Sequence, residues 1–495
     1  MRKKNRRSFK ETCTVDQNDF CRYYTIANIK IPMSTLTLTL SLLDLVSKLP
    51  LLTTVNKGEA DGALILAGVL LSLVVIYFAS KLGGELCFRI NLPPVLGELV
   101  GGVAIGVSAL GLLVFPEGGA SADDSALMQF LQFTTDLNPE SIQAIFSAQG
   151  EFISILSELG IIILLFEIGL ESNLKELIRV GPQAVVIAIV GVVTPFILGT
   201  LGLVYLFNIP MIPSVFAGAA LTATSIGITA KVLAEIGRLS SSEGQIIIGA
   251  AVLDDILGII ILAVVGSLVK TGEIQVVNLI YLIISAAAFL IGAILIGRLF
   301  SSLYVKLVNE MKTRGQLLLI SLSFAFVLSY IAQAIQLEAI LGSFTAGLIL
   351  AETEKRKELE EQIVAVSDIF VPIFFVCVGA KTDLSVLNPT IPSNREGLII
   401  AAFLVIVAII GKVVTGFTIL GQPHLNKLAI GVGMIPRGEV GLVFAGVGAA
   451  SGALSQSTEA AIIMMVILTT FIAPPWLRIV FKELVPTTQE KESSS

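Results

Sequence analysis

Apolar stretches of about 20 residues, the length that spans a bilayer, recur along this chain at 62–80, 92–115, 152–172, 182–207, 211–235, 244–269, 276–299, 316–335, 337–352, 364–381, 397–420, 427–451 and 459–481. Thirteen of them constrain the architecture severely. Inside hydrocarbon every backbone polar group must be satisfied within the protein, and a helix achieves this segment by segment. The expectation is an all-α polytopic membrane protein with thirteen transmembrane helices. With 55% hydrophobic and only 14% charged residues, the chain lies far outside the soluble range.

The loops orient it. Lys81, Arg89, Lys175, Arg179, Arg238, Arg298, Lys306, Lys312, Arg314 and Lys355–Lys357 all fall after spans one, three, five, seven and nine, whereas the alternate connections are nearly free of Lys and Arg. The longest of these, 116–150, carries Glu117, Asp123, Asp124, Asp136 and Glu140 and no basic residue. The positive-inside rule places the basic loops and the C-terminus in the cytoplasm and the acidic loop outside. Residues 61–482 form the expected transmembrane domain, and 483–495 a short cytoplasmic tail. The stretch 1–60, with its MRKKNRR start and the weakly apolar 35–53, is expected to be a targeting segment or an extra helix.

Enzyme readings fail on inventory. The chain has no GxxxxGK[ST] loop, no HExxH and no cysteine cluster: Cys13, Cys21, Cys87 and Cys377 show no metal or redox spacing. No cofactor, nucleic acid or nucleotide-binding domain is expected. The single histidine, His424, reads as a solvated loop residue.

The chain also echoes itself. LPPVLGELVGGVAIG at 92–106 resembles LEAILGSFTAGLIL at 337–350, and LLFEIGLESNL at 164–174 resembles FFVCVGAKTDL at 374–384. VFAGAALTATSIGI at 215–228 then falls over AIGVGMIPRGEVGL at 429–442, and AVLDDILG at 251–258 over VILTTFIA at 466–473. An odd number of spans separates each pair, so two six-helix repeats of inverted orientation, joined by a linker helix at 276–299, are expected. Such repeats hold their substrate near the midplane, where discontinuous helices meet. Two interruptions fit: the polar patch Thr222–Ser225 in span five, and GMIPRGE at 433–439 in span twelve, where Pro436 removes a helical hydrogen bond. Gly102 and Gly106 read as packing residues.

Intramembrane charges mark function by default. Asp254 and Asp255 sit together in span six, where the second half has Thr469 and Thr470. Lys412 lies too deep in span eleven to reach the interface, unlike Lys381, which ends span ten. A buried lysine needs an anion, and either aspartate qualifies. Arg437 and Glu439 lie in the twelfth-span break, where they compensate half-helix ends or each other. Glu98 in span two is a possible accessory carboxylate. An aspartate oxygen suits a small hard cation and binds a proton equally well, so the two ligands exclude each other and one site can exchange them. Burial disfavours the charged carboxylate and a nearby ammonium favours it, a balance that allows titration in the working range. Thr222 and Thr224 are expected to lend further oxygens.

Together PPVLGELVGG at 93–102, LGIIILLFEIGLE at 159–171, TATSIGI at 222–228, VLDDILG at 252–258, GK at 411–412 and MIPRGEVGLV at 434–443 resemble the monovalent cation/proton antiporters of the sodium/proton exchanger fold, in particular their second, largely bacterial branch. The resemblance covers about 60–480. It implies a homodimer in a lipid membrane, bacterial plasma membrane or internal energy-coupling membrane. Each protomer would have a panel domain and a mobile core with two crossed discontinuous helices. It further implies that Asp255 carries Na+ or H+, that Asp254 pairs with Lys412, and that a two-aspartate member moves Na+ or Li+ by alternating access with net charge. The alternatives left open are K+/H+ exchange and a cation-sensing membrane protein without exchange.

Overall fold

The structure, a computed structural model, describes residues 23–26, 29–32, 62–116, 120–135, 137–271, 276–384, 392–419 and 422–482. Most of the expected N-terminal segment 1–60 and all of 483–495 lie outside the described residues. Within 1–60, β1 (Tyr23–Ile26) and β2 (Ile29–Pro32) form a small antiparallel pair.

From Gly62 onward the described chain is helical. Eight helices are long and apolar enough to cross a membrane: within α1 (Gly62–Arg89), α4 (Pro139–Glu171), α6 (Gly181–Phe207), α9 (Ser242–Thr271), α11 (Gln316–Ala334), α13 (Arg356–Ala380), α14 (Pro392–Phe417) and α17 (Gln456–Lys482). Shorter apolar helices are α2 (Pro94–Ile105), α7 (Met211–Ala220), α12 (Ala339–Leu350), the 280–289 portion of α10 (Val276–Glu310), and the 440–449 portion of α16 (Glu439–Ala450). The remaining helices are α3 (Ala126–Thr135), α5 (Leu174–Arg179), α8 (Ile226–Glu235) and α15 (Lys427–Gly433).

Spans 211–235 and 427–451 are each split in two, at the interruptions expected from Thr222–Ser225 and GMIPRGE. Two sequence-based boundaries need correction. Span 92–115 is helical only as far as Ile105. The expected outer loop 116–150 is largely helical, containing α3 and the first turns of α4. Its polarity hid an amphipathic pattern: Leu127, Met128, Leu131, Ile142, Ile145 and Phe146 are buried with Leu64 of α1. Asn138 starts α4 by accepting the Ser141 N–H at 2.7 Å, with Pro139 in the first helical position.

The helices pack as two bundles. One comprises α1, α2, α4, α11, α12 and α13; the other comprises α6, α7, α9, α14, α15, α16 and α17, together with α8, which packs on α9 and α17 and faces α2 and α4 of the first bundle. The first is drawn tight by glycines: a Cβ on Gly102 would lie 2.2 Å from the Val376 carbonyl oxygen, and one on Gly106 2.4 Å from that of Ala380. Both positions therefore have the packing role expected of them. Between the bundles runs an apolar seam that includes Val95, Leu99 and Ile161 on one side and Ile226 and Ile228 on the other.

The helix ends sort by charge. Arg356 donates to the Glu171 carbonyl at 2.9 Å, Arg238 lies 5.8 Å from the centre of the Phe481 ring, and Ser242 donates to Glu176 at 3.1 Å. These contacts gather basic connections at one end of the molecule. At the other end Ser108 donates to the Thr382 carbonyl at 2.5 Å, and Lys381 approaches Ser154 at 3.3 Å.

Candidate functional site

The first interruption is a short non-helical link, Leu221–Ser225, between α7 and α8; the second is Met434–Gly438, between α15 and α16. The two links touch. Ser225 N–H donates to the Pro436 carbonyl at 2.8 Å, and the Thr229 hydroxyl donates to the Gly433 carbonyl at 2.8 Å. A Cβ on Gly438 would meet Ser225 Oγ at 2.8 Å and Ser225 Cβ at 2.9 Å, so only glycine lets the links come this close. Helix breaks expose backbone groups that lipid cannot satisfy. Here each break supplies partners for the other.

Arg437 reinforces the contact. Its side chain is fully buried, and Nη1 donates to the Ala223 carbonyl at 2.8 Å, linking the second break to the first. The Arg437 carbonyl in turn accepts the Thr470 hydroxyl of α17 at 2.5 Å. Arg437 Nε and Nη2 are buried with no hydrogen-bond partner among the described residues. Its position between the links fits compensation of break carbonyls. Glu439 opens α16, and its side chain lies outside the described residues.

Against this crossing α9 brings Asp254, fully buried, and Asp255, 4% exposed. Asp254 Oδ2 accepts two hydrogen bonds, from the Thr224 hydroxyl at 2.5 Å and from Lys412 Nζ at 2.5 Å. The Lys412 ammonium has no exposed surface. Its room is made by α6, because a Cβ on Gly191 would lie 3.2 Å from Nζ. Asp254 Oδ1 is buried without a hydrogen-bond partner among the described residues. Among those residues no group of three His, Cys, Asp or Glu side chains converges. The chemistry on offer is therefore two carboxylates, one ammonium, one hydroxyl and the carbonyls of unwound backbone: hard oxygen ligands for a monovalent cation, and a base for a proton.

A cavity of about 460 Å³ reaches the crossing from the less basic end, between the two bundles. Lys381 and Ser154 line one part of it, and Arg437, Gly438 and Thr470 another.

The sodium/hydrogen exchanger transmembrane family model matches residues 68–483, nearly the whole helical region that builds this arrangement. The chain belongs to the sodium/hydrogen exchanger family. Among exchanger relatives it is similar to the high-affinity Na+/H+ antiporter NhaS3 of Synechocystis sp., with 75% identity over 88% of this chain and 94% of that one. It is also similar to the Na+/H+-K+ antiporter GerN of Bacillus cereus, with 30% identity over 83% and 95%. In fold it is similar to the sodium proton antiporter MjNhaP1 of Methanocaldococcus jannaschii, at 18% identity and a TM-score of 0.59, covering 85% of this chain and 98% of that one.

Not every expected residue of this exchanger reaches the same place. Asp254, Thr224, Lys412 and Arg437 come together, with Asp255 adjacent. Thr222 instead donates to the Ala219 carbonyl in the last turn of α7 at 2.7 Å. Glu98 is elsewhere, on α2, where its Oε1 accepts the Ser80 hydroxyl at 3.1 Å. Gly438 flanks Pro436 in the interruption GMIPRGE, but Gly191 has no signature, since nothing in an isolated glycine says which side chain needs its space. Thr470 was noticed only as the counterpart of an aspartate, and its grip on the second break has no signature in one strand of sequence.

Proposed function

We propose that the protein is a secondary antiporter that exchanges Na+, or Li+, for H+ by alternating access. The observation that carries this reading is the wholly buried Lys412–Asp254 pair at 2.5 Å, beside a second buried aspartate and against two touching helix breaks. A buried ion pair is weak as a source of stability. Kept in a membrane interior next to unwound backbone, it makes sense as machinery.

In this reading Asp255 is the carrier. Deprotonated, it receives Na+ together with neutral oxygens near the first break, Thr224 among them; protonated, it returns without the cation. Asp254 is the second carboxylate, and Lys412 holds it while the site lacks sodium. When sodium draws charge from Asp254, the lysine is left desolvated and ready to release a proton. Thr222, with its hydroxyl turned to Ala219, would contribute only through its remaining lone pairs. Arg437, and Glu439 with it, offset the partial charges of the half-helix ends, and Glu98 is an accessory carboxylate remote from the exchange site.

The eight long and five shorter apolar helices support thirteen membrane segments arranged as two inverted repeats about α10, with the two breaks crossed at the centre. Residues 61–482 are the transport domain, preceded by the 1–60 extension and followed by the 483–495 tail. The concentration of basic residues at one end supports a cytoplasmic C-terminus. The exposed apolar flanks of the first bundle suit lipid and a homodimer partner, in a bacterial plasma membrane or an internal energy-coupling membrane.

The test is proton flux in proteoliposomes on addition of Na+, Li+ or K+. Sodium and lithium are expected to dissipate an imposed pH gradient. Dissipation by potassium alone would replace the sodium reading with K+/H+ exchange, and cation flux without proton counterflow would replace exchange altogether.

A further inference from the structure

At the basic end of the seam a long-range hydrogen bond joins α2 to α8, beside the bonds that join the residues after α4 to α9. Helix α2 begins with Pro93 and Pro94 and has no side-chain cap. Pro94 has no N–H to satisfy, so Val95 presents the first main-chain donor of the helix. That donor is taken by the Glu235 carboxylate at 3.2 Å, from the last residue of α8, 140 residues along the chain and in the other bundle. The neighbourhood is charged to match. Lys231, one turn earlier on α8, acts electrostatically on Glu235, on Glu98 one turn further along α2, and on Glu171 of α4.

The position of this contact gives it meaning. Val95 is wholly buried, and Leu99, one turn further along α2, lines the cavity that reaches the crossing from the opposite end. Ile161 of α4 also lines that cavity and packs on α8, where a Cβ on Gly227 would lie 3.3 Å from Ile161 Cδ1. Between the same two bundles, then, the seam holds a cavity on the less basic side, while on the basic side α2 and α8 are in contact through buried Val95 and the Glu235 cap. A site that alternates must reverse this, and α8 cannot leave α2 without uncapping it.

We propose that Glu235 is a positioning residue of the exchange cycle, a latch on one bundle that holds the basic side closed by capping a helix of the other. This rests on the alternating-access reading above. It predicts that losing the cap moves the population away from the state described here, because that state alone gains from the contact.

Cys377 supplies a native reporter: it lines the cavity with its side chain almost wholly buried, so a reagent reaches it only while that side stays open. The experiment is the labelling rate of Cys377 by a small methanethiosulfonate reagent in proteoliposomes, resolved from Cys13, Cys21 and Cys87 by peptide mass spectrometry. Glu235→Ala and Glu235→Asp, which remove the carboxylate or shorten its reach, are expected to slow Cys377 labelling several-fold. Glu235→Gln keeps an oxygen at full reach and is expected to label at close to the wild-type rate. Labelling at the wild-type rate in Glu235→Asp and Glu235→Ala would overturn the latch. Equal slowing in Glu235→Gln and Glu235→Asp would overturn the capping role as well, since charge alone would then explain the effect. The labelling readout does not depend on sodium-driven proton flux, so a failed latch and a failed exchange reading give different results.

Discussion

The two helix breaks are held in similar ways but carry their charge in different places. At the first break the following long helix, α9, grips the link through Asp254 and Thr224. At the second, α17 grips the link through Thr470 and the Arg437 carbonyl. In the first half the charge is on the gripping helix; in the second it is in the link itself, as Arg437. In the proposed mechanism one half serves as the titratable ion site and the other as a fixed electrostatic support. A hydroxyl suffices to hold a break. Carboxylates there must serve something else, and in the proposed mechanism they carry the exchange chemistry of α9.

The largest effect that would sharpen the comparison is expected from Asp255→Asn, which should reduce sodium-driven proton flux in proteoliposomes to background. Thr470→Val in the other half should leave measurable exchange. Next comes Lys412→Ala. Removing one partner of a buried ion pair costs about 3–5 kcal/mol, so thermal unfolding in detergent should shift well downward. Pairing it with Asp254→Asn should recover much of that loss, and a double variant no more stable than the single one would break the account of the pair.

Smaller is Gly438→Ala, which forces a Cβ to within 2.9 Å of Ser225; overpacking of this kind costs about 1–3 kcal/mol and should lower both stability and turnover. Among the threonines, Thr224→Val removes a bond to a charged group, worth about 1.5–3 kcal/mol. Thr222→Val removes only a local helical bond, so sodium affinity should fall for Thr224→Val and change little for Thr222→Val.

The smallest effect belongs to the outer segment. Hydrogen bonds from the Ser121 N–H and hydroxyl hold the exposed Asp124 carboxyl below the usual carboxylate range. A lowered folded-state value stabilises above the ordinary carboxylate pKa of about 3.9, and the contribution is lost as pH falls through the lowered value. Asp124→Asn should therefore leave exchange untouched and alter thermal stability marginally, and only at pH above that window.

Much of this was legible in the sequence because membranes punish exceptions. Asp254, Asp255 and Lys412 stand out against apolar runs, and Pro436 and Thr222–Ser225 mark the breaks. The residues alone left either aspartate as the partner of Lys412, and the structure puts Asp254 there. What the sequence hid was three-dimensional adjacency. Whether Thr222 or Thr224 faces α9 turns on the rotation of an unwound link, which periodicity does not encode. The helical character of 126–135 and 139–150 is masked by polar residues on their exposed faces. Glu235 has no signature in the sequence, and only the proline-initiated α2, far away in sequence, gives it a partner.

The central claim is that a single carboxylate holds either a proton or a sodium ion. It is tested most directly by adding Na+ to the purified protein in weakly buffered detergent solution and recording proton release. The wild type should release protons with a sodium dependence that weakens as pH falls, and Asp255→Asn should release none from the carrier. Sodium binding by the wild type with no proton release, or undiminished release from Asp255→Asn, would contradict it.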